Sequence, residues 1–131
     1  MADQAAATDG ESVCTDQYRR DELRVKKALL FIEKNYGAAI TPGEIAGSAA
    51  ISVSTCLRLF RSILGTTPNR YLMTYRLQRA AEELAHPEGR TIAAIAFSCG
   101  FAYASYFDRC FLAAYGITPS GYIHHLQKQQ E

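Results

Sequence analysis

The chain carries one design twice. The stretch 51–71, ISVSTCLRLFRSILGTTPNRY, returns at 101–122 as FAYASYFDRCFLAAYGITPSGY. Arg58 then pairs with Arg109, Phe60 with Phe111, Gly65 with Gly116, Pro68 with Pro119 and Tyr71 with Tyr122, all at an offset of 51 residues. Upstream the offset is 50: Ile45-Ala46 lies over Ile95-Ala96 and Ile51 over Phe101, so the second copy has gained one residue at the start of its longer helix. An internal duplication limits the chain to folds that accept the same small unit twice. Each copy reads as short helix, tight turn and longer helix, the helix-turn-helix arrangement whose second helix can enter a DNA major groove. Two copies in one chain supply the paired half-site contacts that other such proteins obtain by dimerising.

Apolar spacing places the remaining elements. Val25, Ala28, Leu29, Ile32 and Tyr36 recur at three and four, with Arg24, Lys26, Lys27 and Lys34 off the stripe, which predicts a helix over 21–36 ended by Gly37. Thr41-Pro42-Gly43-Glu44 joins an N-cap, a proline at the first helical position and a glutamate three residues after the cap. That is a capping box, and it starts a short helix over 42–49. Ser52 opens the first recognition helix, which runs to Leu64, buries Cys56, Leu59, Phe60 and Ile63, and stops at Gly65 in a left-handed conformation. Thr67-Pro68 restarts a helix to about Ala85; some 17 residues would span about 25 Å, enough to hold two small lobes apart. After a turn at 86–90, Thr91 caps a short helix with Ile92, Ile95, Ala96 and Cys99 inward. The second recognition helix follows over 104–115, burying Phe107, Cys110, Phe111 and Ala114. Thr118-Pro119 begins a last helix with Tyr122, Ile123 and Leu126 inward, fraying over 127–131. No strand-like alternation occurs. The reading is an all-α fold of seven helices in two helix-turn-helix lobes: lobe one at 21–66, a long connecting helix at 67–85 and lobe two at 90–131.

Charge matters here through its distribution, because the net value of +1 hides it. Residues 52–79 hold five arginines (Arg58, Arg61, Arg70, Arg76 and Arg79) and no acid, whereas 1–16 hold four acids and no base. The first repeat is therefore a basic surface suited to a polyanion. The acidic leader reads as disordered, and 1–20 as a leader or interdomain linker running into the first helix, which suits a piece of a longer chain better than a complete small one. Cys14, Cys56, Cys99 and Cys110 are spaced too irregularly for a zinc site, and the last three fall at apolar helical positions, as reduced buried thiols do. No metal or other cofactor is expected. The chain has neither a run of roughly 20 apolar residues nor a basic-then-apolar leader, so a cytoplasmic location is expected. His86, His124 and His125 stand beside no ordered nucleophile or carboxylate, and no glycine-rich phosphate loop occurs, so an enzyme is not indicated.

The motif string I-A … S-x-x-x-L-R-x-F-x-x-x-x-G-x-x-P-x-x-Y-L, then R-L-x-x-A-x-x-L, then I-x-x-I-A-x-x-x-G-F-x-x-x-S-Y-F-x-R-x-F-x-x-x-x-G-x-x-P-x-x-Y resembles the DNA-binding domain of the AraC/XylS transcriptional regulators. The resemblance covers Leu23 to Leu126. It implies a homeodomain-like fold of the AraC type and a sequence-specific regulator, read as an activator, with its two recognition helices in successive major grooves of a bent site. It also implies a contact with RNA polymerase. The domain alone is expected to be a monomer, with dimerisation left to any upstream sensor domain. An alternative is a helical protein-interaction module that keeps the fold and binds DNA weakly.

The candidate contacts follow. Arg58 and Arg109 occupy equivalent places opposite the apolar stripe of each recognition helix, where a guanidinium can bond guanine O6 and N7. By resemblance, Ser54 and Leu57 face bases in the first copy, and Ala104, Ser105 and Tyr106 in the second, although Tyr106 equally suits the core. Helix N-termini favour phosphate, which selects Thr41, Ser52, Thr67, Thr91 and Thr118, with Asn69 and Arg70 beside the connecting helix's start. Capping alone is the plainer role for each threonine. Arg61 stands where the family often has a basic clamp. Arg76-Leu77 matches the R-L-x-x-A segment, and Arg76 is expected to brace the lobes by hydrogen bonds. The second copy departs from the family pattern: Leu112-Ala113-Ala114 replaces lysines, and Asp108 sits beside Arg109. The first lobe should then dominate DNA binding, and Leu112 with Ala113 could offer an apolar patch to a protein.

Overall fold

The computed structural model describes residues 15–130. The helices are α1 (Ala2–Asn35), α2 (Pro42–Ser48), α3 (Val53–Leu59, continued by a π-helical turn over Phe60–Leu64), α4 (Pro68–Ala85), α5 (Ile92–Ser98), α6 (Ala104–Tyr115) and α7 (Pro119–Gln130). Among the described residues there is no strand, and the all-α class with seven helices is as expected.

The expected disordered leader lies, for residues 1–14, outside the described residues. From Thr15 the chain is already helical, so α1 is under way before Asp21, where the apolar stripe begins. Polar pairs one turn apart carry this exposed stretch. Gln17 donates to Asp21 at 3.1 Å, Arg20 to Gln17 at 3.0 Å and Arg24 to Asp21 at 3.3 Å. Such pairs stabilise a helix that has no core to face.

The chain forms two compact units: Met1–Ile32 with Thr41–Pro68, and Glu33–Ile40 with Asn69–Glu131. The segment Glu33–Ile40, counted with lobe one from its sequence position, thus belongs to the second unit.

In the first unit Val25, Ala28 and Ile32 of α1, Ile45 and Ala46 of α2, and Cys56, Leu59 and Phe60 of the third helix are buried, and α2 packs on α3. The capping box is complete: Thr41 Oγ1 accepts from Glu44 N at 3.1 Å while Thr41 N donates to Glu44 Oε1 at 3.1 Å. The turn after α2 is closed by Ala50 N to Gly47 O and Ile51 N to Ala46 O. It forces Ala50 to φ 56°, left-handed for a residue with a Cβ. Ala50→Gly should therefore raise the stability of this unit by about 0.5–1 kcal/mol, the relief of left-handed strain less the added freedom of an unfolded glycine. Chemical denaturation would show it as a higher midpoint at unchanged slope.

In the second unit α5 packs on α6 and α6 on α7. The core is Leu77, Ala80, Ala81, Leu84, Ile95, Ala96, Cys99, Phe101, Phe107 and Phe111. The turn after α5 repeats that after α2, with Gly100 at φ 98° where Ala50 stands in the first unit. The two recognition helices have equal length, so the extra residue of the second copy falls in the turn before α6 and not within the helix. Ala114 is exposed, contrary to expectation. The Tyr115 ring, 4.6 Å from that of Phe111, takes the covering position that Ala114's single methyl cannot reach. The last helix also persists to Gln130 where fraying was expected.

Cys56 and Cys99 are buried, Cys110 half-buried, and all three are free thiols; Cys14 lies outside the described residues. Cys99 donates to Glu83 Oε2 at 3.0 Å. Burial, then that carboxylate, push its thiol up to about 12, which makes it inert. Burial alone would raise Glu83, but hydrogen bonds from Cys99 and Arg90 outweigh it and hold the carboxyl below its usual range. Glu83 thereby ties α4 both to α5 and to the turn at Arg90, whose guanidinium lies 2.6 Å away.

Candidate nucleic-acid interface

Ser52 ends the turn of the first unit in extended backbone, φ −75° and ψ 161°, and its Oγ accepts from Thr55 N at 3.1 Å. With the helix start fixed, residues at three-and-four spacing share its outer side. Ser54, Leu57, Arg58, Arg61 and Ser62 line one open groove of about 410 Å³. Arg58 and Arg61 are exposed, Leu57 is half-buried, and neither arginine forms an ion pair among the described residues. The groove thus offers two guanidinium groups, hydroxyls and a few apolar carbons. These suit guanine edges and phosphates, and thymine methyls, respectively. The structure brings together all the predicted base-facing residues of this copy with Arg61. It adds Ser62, which sequence reasoning passed over although it lies one turn beyond Arg58.

Helix α6 carries the second set. Ala104, Ser105 and Arg109 are exposed. Tyr106 belongs to both surface and core: it is 45% exposed, yet its ring centroid lies 6.4 Å from that of buried Phe101. Arg109 lies over the Tyr106 ring at 5.8 Å and makes no ion pair with Asp108. A cation over an aromatic face is held without losing its charge or its outward donors. A hydrogen bond with Cys110 raises the Tyr106 phenol, which keeps it protonated. Leu112 is 46% exposed and Ala113 exposed, in the places that Arg61 and Ser62 take in the first copy.

The candidate phosphate contacts are mostly helix caps. Thr41 is engaged with Glu44, Thr91 accepts from Ala94 N at 3.0 Å, and Thr118 accepts from Gly121 N at 3.1 Å. Thr67 is half-buried just before α4, and Asn69 and Arg70 are exposed in that helix's first turn. Arg76 does its bracing inside the second unit. Its Nε donates to Tyr36 O at 2.7 Å and a terminal nitrogen to Ala38 O at 2.8 Å, fastening the chain that leaves α1 to α4. Burial lowers the guanidinium's pKa. Beside it the Arg79 guanidinium lies 5.7 Å from the centroid of the Tyr36 ring.

Residues 45–125 match the family described as a helix-turn-helix domain. The chain is 37% identical over 110 residues to the HTH-type transcriptional regulator YdeC of Bacillus subtilis, covering 81% of this chain and 38% of that protein. It is 33% identical over 102 residues to the HTH-type transcriptional activator RhaS of Mannheimia succiniciproducens, covering 78% of this chain and again 38% of the relative. The chain therefore spans well under half the length of these relatives. Among solved structures it resembles a transcriptional regulator of Chromobacterium violaceum, described by its AraC-type DNA-binding domain, with a TM-score of 0.75 and 27% identity over 80% of this chain and 93% of that one.

Proposed function

This chain belongs to the AraC-type helix-turn-helix family, and from that premise we propose that it is a sequence-specific transcription regulator that reads successive major grooves with α3 and α6. The observation that carries the reading is the groove of Ser54, Leu57, Arg58, Arg61 and Ser62 on the helix after a tight turn, with neither guanidinium in an ion pair among the described residues. Ser105 and Arg109 repeat its Ser54 and Arg58. Base contacts fall to Ser54, Leu57, Arg58, Ala104, Ser105, Tyr106 and Arg109. Phosphate contacts fall first to Arg61, Asn69 and Arg70, then to the helix starts at Thr41, Ser52, Thr67, Thr91 and Thr118. Activation follows the name of the RhaS relative, and an RNA polymerase contact and a cytoplasmic location would accompany it. Among the described residues no helix is long and apolar enough to cross a membrane.

Selection of bound sequences from a random duplex pool, followed by titration at several salt concentrations, tests the reading. Arg58→Ala should cost about 1–3 kcal/mol on the selected site and relax preference at one position. Arg61→Ala should weaken selected and random duplexes alike and reduce the salt slope by about one. Wild-type affinity in both variants refutes the assignment. A second reading, a protein-contact module, is favoured by exposed Leu112 and Ala113 alone. It predicts no salt-sensitive duplex binding at all.

A further inference from the structure

The two copies part company at the cap of the longer helix. Ser52 caps α3 with its hydroxyl, whereas the equivalent residue before α6 is Tyr103, which adopts the same extended cap backbone (φ −131°, ψ 129°) and makes no side-chain cap bond. An aromatic residue in place of serine at an N-cap forgoes a bond that stabilises a helix start. Nor does the ring serve the core: Tyr103 is 73% exposed, beside exposed Ala104 and Ser105. It stands after Ala102, in the turn that holds the residue the first copy lacks. The turn has thus been lengthened, and a cap given up, at a place where a large side chain stands beside the exposed Ala104 and Ser105 of α6.

We propose that Tyr103 is a DNA-contacting residue of the second unit, its hydroxyl donating to a backbone phosphate and its ring lying against the adjoining deoxyribose. The inference rests on the reading of α6 as a groove-binding helix. Tyrosine is an established phosphate donor and a rigid, largely apolar surface. Because it is neutral, it adds affinity without releasing a counterion. In a copy that carries Leu112 and Ala113 where the first has Arg61 and Ser62, an uncharged contact of this kind would replace part of the missing electrostatic hold.

The test uses the full chain and a fluorescent duplex carrying its selected site, with Tyr103→Ser and Tyr103→Phe. Tyr103→Ser restores the cap of the first copy, so its melting temperature should rise by a few degrees. Its affinity should fall about tenfold on selected and random duplexes alike, with the salt slope unchanged. Tyr103→Phe should keep the wild-type melting temperature and lose about fivefold. If Tyr103→Ser melts lower than wild type, Tyr103→Phe decides alone. Wild-type affinity in Tyr103→Phe together with Tyr103→Ser, or in Tyr103→Phe alone in that case, overturns the inference while leaving the α6 reading in place. A wild-type chain that binds no duplex overturns both.

Discussion

Gly100→Ala should destabilise the second unit by about 3 kcal/mol, in a chain whose other copy carries alanine at the equivalent place. Gly100 sits at φ 98°, and a Cβ built on it would lie 2.6 Å from Tyr36 O and 2.5 Å from Arg76 Nε. Neither neighbour can retreat cheaply, since Arg76 Nε bonds that same carbonyl at 2.7 Å and the rest of its guanidinium holds Ala38 O. The left-handed backbone alone costs alanine about 1–2 kcal/mol. Displacing a charged hydrogen bond from a half-buried carbonyl adds about 1–3 kcal/mol. Urea denaturation would measure the loss. Combining Gly100→Ala with Arg76→Ala should give clearly less than the sum of the two, because both remove the same bond. A loss under about 1 kcal/mol, or additivity, would mean that the chain around Tyr36 shifts freely. The contrast with Ala50 is part of the argument: opposite substitutions at equivalent turns should have opposite signs.

That contrast also marks what a sequence can disclose. Helix starts and stops were legible because the signals are local: Thr41 with Glu44, Ser52, Thr91, Gly65 and Gly116 each act within four residues of themselves. The buried sets were legible because three-and-four spacing on a helix is a face. The outer groove of the first recognition helix follows from the same spacing, read on the opposite side.

Other features depend on contacts far apart in the chain, and spacing is silent about those. Arg76 reaches back 40 residues to Tyr36, which draws Glu33–Ile40 into the second unit. The arginine's place in a motif gave no sign of its acceptor. Tyr106 was ambiguous in sequence because it lies on the boundary between stripe and surface, and only the positions of Phe101 and Arg109 around its ring resolve it. The π-helical turn at Phe60–Leu64 has no counterpart in α6 and no local sequence signal. The early start of α1 was hidden by a polar composition that resembles a linker, although the same residues pair at helical spacing.

Phe111→Ala carries the largest effect expected of any single change, about 3–5 kcal/mol. Phe111 is fully buried, with ring centroids of Phe107, Tyr115 and Tyr122 at 5.6, 4.6 and 5.5 Å, so it joins α6, the proposed reading helix, to α7. For a unit of this size a loss of that order lowers the melting temperature by roughly 15–30 °C. Phe111→Leu, which refills most of the space, should cost much less. The distinction from an interface residue is thermodynamic. Phe111 does not face outward, so the folded fraction of Phe111→Ala should keep its intrinsic affinity for duplex, and saturating DNA should raise its melting temperature by mass action. Arg109→Ala should do the reverse, melting as wild type does and binding more weakly at every temperature. If Phe111→Ala instead bound weakly at low temperature while fully folded, α6 would have to be repositioned by the cavity, and the rings around Phe111 would be setting the aim of the reading helix as well as its stability.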